Sequence, residues 1–105
     1  MQVCHELLVW LIPLLDHFPR NRRFTLGERL ETGLLKVLEL LVAAAYSKDK
    51  ATLLGEANRQ LAVCRHLWRL SYELKVVSLK QYEQGARFID SIGGQIGLWL
   101  KSRAT

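Results

Sequence analysis

Apolar residues return every three or four positions along nearly the whole chain, and no segment alternates apolar with polar as a half-buried strand would. The spacing predicts four helices. The first runs from about residue 3 to Phe18 and turns Leu7, Leu8, Leu11, Leu14, Leu15 and Phe18 inward. Pro13 lacks the N–H for one backbone bond, so a bend between Val9 and Pro13 is expected, and Pro19 ends the helix. The second begins after Thr25, where Thr25 and Glu28 have capping-box spacing, and continues to about Tyr46 with Leu30, Leu34, Val37, Leu38, Leu41 and Ala45 as its core stripe. The third, capped by Ser47 or Asp49, reaches about Val76 with Leu53, Ala57, Cys64, Leu67, Trp68, Ser71 and Leu74 on one side. The fourth starts at Ser78, whose partner in a second capping box is Gln81, with Val77 and Tyr82 spaced as a hydrophobic staple. It ends near Lys101, and Ile89, Ile92, Ile96, Trp99 and Leu100 form its apolar face.

Short connections make successive helices neighbours of opposite direction. The expected fold is therefore all-α, an antiparallel up-down-up-down four-helix bundle forming a single domain over residues 1–105. Two features point beyond one copy. Leu35, Leu40, Val42, Ala43 and Ala44 widen the apolar surface of the second helix past a single stripe, which self-association would cover. Gly85, Gly93, Gly94 and Gly97 each cost the fourth helix about 1 kcal/mol relative to Ala. Gly93 and Gly97, one turn apart, would allow close approach by a neighbouring helix or another subunit. Leu35, Val42, Gly93 and Gly97 are thus the expected interface residues of a homo-oligomer.

Charge adds a direction. Fifteen Lys and Arg against ten Asp and Glu give a net charge of +5, which favours polyanions. Arg20, Arg22, Arg23 and Arg29 cluster around the stop at Pro19, and Arg59, Arg65 and Arg69 with His66 fall on the wet side of the third helix. Arginine's planar fork suits phosphate, and Tyr72 and His66 are the aromatic rings near enough to stack on a base. If Arg65 and Arg69 are instead consumed by internal ion pairs, this expectation fails. Two cysteines, Cys4 and Cys64, are too few for a disulfide framework, and no basic leader precedes Leu7–Leu15, so a reducing cytoplasm is expected. That apolar run is nine residues long, well short of the roughly 20 a bilayer requires, and no membrane partner is expected.

Candidate chemistry is thin. Cys4, His5, Cys64 and His66 could be imagined as a metal set, but neighbours one or two apart on a helix diverge, so no metal site is expected. No Ser, Cys or Thr has a base and an orienting group at helical spacing, and Glu28 with Glu31 is better explained by the helix dipole. Trp10, Trp68 and Trp99 are read as packing residues. The chain is expected to be no enzyme and to carry no cofactor.

Several segments nevertheless have a family likeness. Leu8-Val-Trp-Leu-Ile-Pro-Leu-Leu-x-x-Phe18-Pro-Arg-x-x-Arg-Phe-Thr-Leu-Gly-x-Arg29, Leu38-Glu-Leu-Leu41, Ala44-Ala-Tyr-Ser47, Ala57-Asn58, Leu79-Lys-Gln-Tyr-Glu83, Ile92-Gly93 and Gly97-x-Trp99-Leu-Lys-Ser102 together resemble the accessory variability determinant (Avd) proteins of diversity-generating retroelements. The resemblance implies a four-helix bundle assembled as a barrel-like homopentamer with a basic surface. It also implies the retroelement reverse transcriptase and template RNA or cDNA as partners, in support of mutagenic copying whose chemistry belongs to the polymerase. Arg20, Arg23, Arg29, Arg65 and Arg69 match the family's basic positions; Arg22 and Arg59 join them from the charge pattern alone. The alternative expectation is a protein-interaction scaffold, similar to the four-helix proteins of ribosomal-RNA intervening sequences, that docks an acidic partner without touching nucleic acid.

Overall fold

The computed structural model describes residues 1–104, with side chains through Ser102; Thr105, the end of the expected domain, lies outside the described residues. Four helices, α1 (Gln2–Leu15), α2 (Glu28–Tyr46), α3 (Lys50–Glu73) and α4 (Leu79–Ala104), pack against one another, and no strand occurs among the described residues. α1 lies against α2 and α4, and α3 lies against the same two helices, so the four enclose one core in a rod of 45 × 21 × 19 Å.

The core follows from the periodicity. Leu7, Leu11 and Leu15 meet Leu30, Leu34, Val37 and Leu41 of α2, Leu54, Leu61, Cys64 and Trp68 of α3, and Ile89, Ile92 and Ile96 of α4 in one buried cluster. The stripes are rotated slightly from expectation. Leu40 and Ala44 are buried while Leu38 and Ala45 are half-buried; on α3, Ala57, Cys64, Trp68 and Ser71 are buried as expected, Leu54 and Leu61 join them, Leu53 and Leu67 are half-buried, and Leu74, just past its end, is exposed. Phe18 is buried although α1 stops at Leu15, because three successive i→i+3 bonds, from the N–H groups of Asp16, His17 and Phe18, carry the chain inward. Pro13 sits within α1 on its exposed side.

The largest departure lies between α1 and α2. Thr25 does not cap a helix. The chain is already helical at Arg20–Arg22, with the Pro19 carbonyl accepting from Arg22 and Arg23 N–H at 2.8 Å each, and it passes through one π-helical turn, Arg23–Gly27, straight into α2. Proline's preset φ and missing N–H suit the start of a helix, so Pro19 both separates the two rods and opens the second. Thr25 Oγ1 instead donates back to the carbonyls of Asn21 and Arg22, and Arg23–Gly27 is closed by the Glu28 N–H on the Arg23 carbonyl. The other two caps form. Asp49 accepts from the Thr52 N–H while Lys50 Nζ donates to the Ala44 carbonyl at 2.8 Å, and Ser78 and Gln81 bond reciprocally at 2.9 and 3.1 Å.

Two glycines let helices meet closely, and neither is Gly93 or Gly97. A Cβ on Gly85 would lie 2.5 Å from the Trp68 indole, and one on Gly33 would lie 2.7 Å from Cys64 Sγ. A Cβ on Gly93 would lie 3.6 Å from Leu61 and 3.3 Å from the flexible end of Arg65, both of its own chain, while Gly94 and Gly97 face open space. α3 ends with Lys75 at φ 62°, its N–H on the Tyr72 carbonyl and the Val76 N–H on the Ser71 carbonyl. This is a Schellman ending with lysine where glycine is usual, and the left-handed position strains an L-residue.

Gly85→Ala should destabilise the fold by about 2 kcal/mol through overpacking against Trp68, whereas Gly94→Ala should stabilise it by about 1 kcal/mol, and Lys75→Gly by a similar amount. Urea denaturation of the three variants checks both signs.

Candidate nucleic-acid interface

The seven candidate arginines fall into three settings. Arg20 and Arg22 project from the lead-in to α2, Arg20 exposed and Arg22 half-buried, and among the described residues no carboxylate lies within 4 Å of either. Arg23, beside them in sequence, is turned toward the protein. Its guanidinium lies 3.7 Å from Asp16 and 3.6 Å from Glu31, tying the end of α1 to α2.

Arg29 and Arg59 line the furrow between α2 and α3. A cleft of about 430 Å³ is bounded by Glu28, Arg29, Thr32, Gly33, Lys36, Gln60, Val63 and Leu67. It continues into a second of about 280 Å³ along Lys36, Leu40, Glu56, Arg59, Gln60 and Val63. Residue numbers fall on α3 as they rise on α2, which sets Arg29 level with Leu67 and Leu40 level with Glu56. Lys36 therefore joins the two arginines, two turns along α2 from Arg29. Sequence reasoning missed it because a lone lysine in an apolar helix carries no signal of what lies across from it.

Arg65 and Arg69 stand toward α4 and the end of α3, and both are paired. Arg65 Nη2 lies 3.4 Å from Asp90 Oδ1, and Arg69 Nε donates to Glu73 Oε1 at 2.8 Å. These are surface pairs, not internal ones: the arginine side chains are 49% and 66% exposed. Exposed pairs contribute about 0–1 kcal/mol and exchange readily with other anions. The two charges remain available, but half offset by their neighbours.

The stacking candidates divide as well. His66 is exposed, but Tyr72 stacks on Tyr82 with centroids 4.9 Å apart, so one of its faces is taken. The exposed phenylalanine and tyrosine rings are Phe24 and Tyr46, at 61% and 89%.

The remaining site residues lie elsewhere. Leu35 borders an apolar hollow of about 420 Å³ formed with His5, Leu8, Val9, Ile12, Pro13 and Leu38, and Val42 is exposed two turns further along α2. Gly97, beside Leu98 at 70% exposure, belongs to α4, away from that hollow. Cys4 and Cys64 are buried while His5 and His66 are exposed, and among the described residues no three His, Cys, Asp or Glu side chains are grouped to hold a metal. Among them, too, no helix is long and apolar enough to cross a membrane.

These features define an all-helical protein of four mutually packed helices whose cations are spread over solvated faces and an interhelical furrow. The chain belongs to the bAvd-like family, whose model matches residues 1–103. That is the kinship suggested by the Phe18–Arg29 segment and its companions. Comparison with curated proteins gives no match.

Burial pushes both thiols up from 9.0 to about 11, with Gln60 partly opposing the shift at Cys64. Both should resist a soluble aromatic disulfide reagent at pH 8 in the native protein and react fully in denaturant, as absorbance of the released thiolate will show. Because the unfolded thiols ionise first, their contribution to stability should be complete below pH 9 and decline as the pH rises toward 11.

Proposed function

We propose that this protein is a non-enzymatic accessory subunit of a diversity-generating retroelement, holding template RNA or cDNA beside the reverse transcriptase during mutagenic copying. Membership of the bAvd-like family is the observation that carries this reading. The net charge of +5 and the arginines without carboxylate partners support it. Phosphates would be held at Arg20, Arg22, Arg29 and Arg59, with Arg65 and Arg69 contributing after release from Asp90 and Glu73. Arg23 would act mainly in positioning the lead-in. The polymerase supplies the chemistry, and the setting is the cytoplasm.

In the same reading the chain is an up-down-up-down bundle that assembles with copies of itself, as a pentamer by family likeness. A ring of five requires two different surfaces meeting head to tail, since a patch that pairs with itself closes at two. The apolar side at Leu35 and Val42 is one candidate surface, and the α4 side at Gly97 and Leu98 is another. Gly93, which faces α3 of its own chain, is the weakest of the four expected interface positions.

A second reading, a scaffold for an acidic protein partner, draws support from the α2/α3 cleft. Its walls at Val63 and Leu67 suit aliphatic side chains, and Arg29 and Lys36 suit flanking carboxylates.

Binding of single-stranded RNA, followed by fluorescence anisotropy, should weaken about 50-fold between 50 and 200 mM salt if about four phosphates are neutralised. Arg29→Glu with Arg59→Glu should reduce affinity more than Arg65→Glu with Arg69→Glu, because Asp90 and Glu73 already offset the latter pair, and retroelement activity should follow the same order. Flat salt dependence, or RNA-independent capture of the reverse transcriptase after nuclease treatment with no RNA affinity, would favour the scaffold. Light scattering should give a mass of several chains, and Gly97→Ala should lower it if α4 meets a neighbouring copy there.

A further inference from the structure

We infer that Phe24 is a base-stacking platform for single-stranded RNA, with Arg20 beside it as a phosphate contact; this rests on the nucleic-acid reading above and assigns a ring to it.

Three observations converge on this residue. Phe24 is 61% exposed, and among the described residues no aromatic ring or cation is paired with it. The other phenylalanines are buried or packed against the core. Unlike Tyr46, the second exposed aromatic, Phe24 has no hydroxyl to offer water, so its exposure brings no solvation benefit.

Its surroundings are also held in place. Arg20, four residues earlier, shares its side of the rod, whereas Arg22, two residues earlier, is turned away from it. Both belong to a segment that Pro19 starts and that two bonds to the Pro19 carbonyl keep helical. The π turn then turns Leu26 and Gly27 inward together and leaves Phe24 and Thr25 outside, with the Thr25 hydroxyl bonded to the Asn21 and Arg22 carbonyls. Single π turns inside helices recur at functional sites, where a less favourable backbone bond is exchanged for the placement of side chains.

Charge selects the occupant. Arg23, the inward arginine, is neutralised by Asp16 and Glu31, whereas Arg20 and Arg22 have no such partner. A bare ring with an uncompensated guanidinium one turn before it matches the face of an unpaired base joined to its neighbouring phosphate, and a duplex hides that face. Glu28 is the exposed carboxylate one turn beyond Phe24, so the strand runs from Phe24 toward Arg20 and away from it. Tyr72, whose face is occupied by Tyr82, is the poorer platform.

The test compares full-length wild type, Phe24→Ala, Phe24→Leu and Phe24→Trp for binding of one fluorescein-labelled mixed-sequence single-stranded RNA and its duplex, with mass by light scattering. Phe24→Ala and Phe24→Leu should weaken single-strand binding roughly 5- to 150-fold without changing the salt slope or the mass. Phe24→Trp should retain it, and duplex binding should not respond to any of the three. Wild-type affinity in Phe24→Ala overturns the inference and leaves the nucleic-acid reading standing. Wild-type affinity in Phe24→Leu shows a merely apolar contact and overturns it too, as does a lowered mass, which would place Phe24 between copies. Failure of the wild type to bind RNA at low salt removes the nucleic-acid reading itself.

Discussion

A large ring and a missing side chain meet where α3 packs on α4: Trp68 can be buried only because residue 85 carries no Cβ. The indole is 2% exposed, donates Nε1–H to the Tyr82 carbonyl at 2.9 Å and receives Trp10 edge-on at a centroid distance of 6.0 Å. Trp10 in turn lies 5.9 Å from Phe88, so three helices are drawn together around one side chain. Burial of an aromatic surface of this size, with its single polar atom satisfied, sets the spacing and register of α3 on α4. The neighbouring surface pair Arg65–Asp90 and the position of Gly93 beside Leu61 follow from that register. Gly33 serves the α2/α3 contact in the same way by admitting Cys64.

Polar groups are handled at the ends of the helices rather than in the core. Ser71, the buried polar residue, returns its hydroxyl to the Leu67 carbonyl, and among the described residues no buried side-chain donor or acceptor is left without a partner. With the interior so closed, the cations have only the surface, and their different roles come from what lies next to each. Arg23 stabilises the fold between two carboxylates, Lys50 covers the open carbonyls at the end of α2, and Arg20, Arg22, Arg29 and Arg59 have no such duty. The surface that could serve an anionic partner is therefore the remainder after local structural needs are met.

The apolar remainder has a parallel logic. Val9, Leu35 and Val42 are exposed on α1 and α2, and Leu98 on α4, because four helices in a ring cannot cover more than about half of each rod. In a protein of this size, surface that the single chain leaves wet is stabilising only when copies meet.

The number of helices, their approximate spans, the caps at Asp49 and Ser78 and the identity of most core residues were legible in the sequence, since each depends on neighbours within a turn or two. So were the basic excess and the family kinship carried by Phe18–Arg29. The false cap at Thr25 shows the limit of that locality: Thr25 and Glu28 have the right spacing, yet Pro19 had already begun the helix, and one π turn kept it continuous. The αL residue at Lys75 gave no warning because lysine carries no preference for that conformation. Likewise, which glycine admits a neighbour and which aromatic stays bare depend on atoms far along the chain, and Arg23 is neutralised by Asp16 and Glu31, which no i,i+3 or i,i+4 spacing relates to it. Periodicity decides which side of a helix is apolar; only the packed helices decide what stands opposite it, because side-chain volume and charge are matched across space and not along the chain.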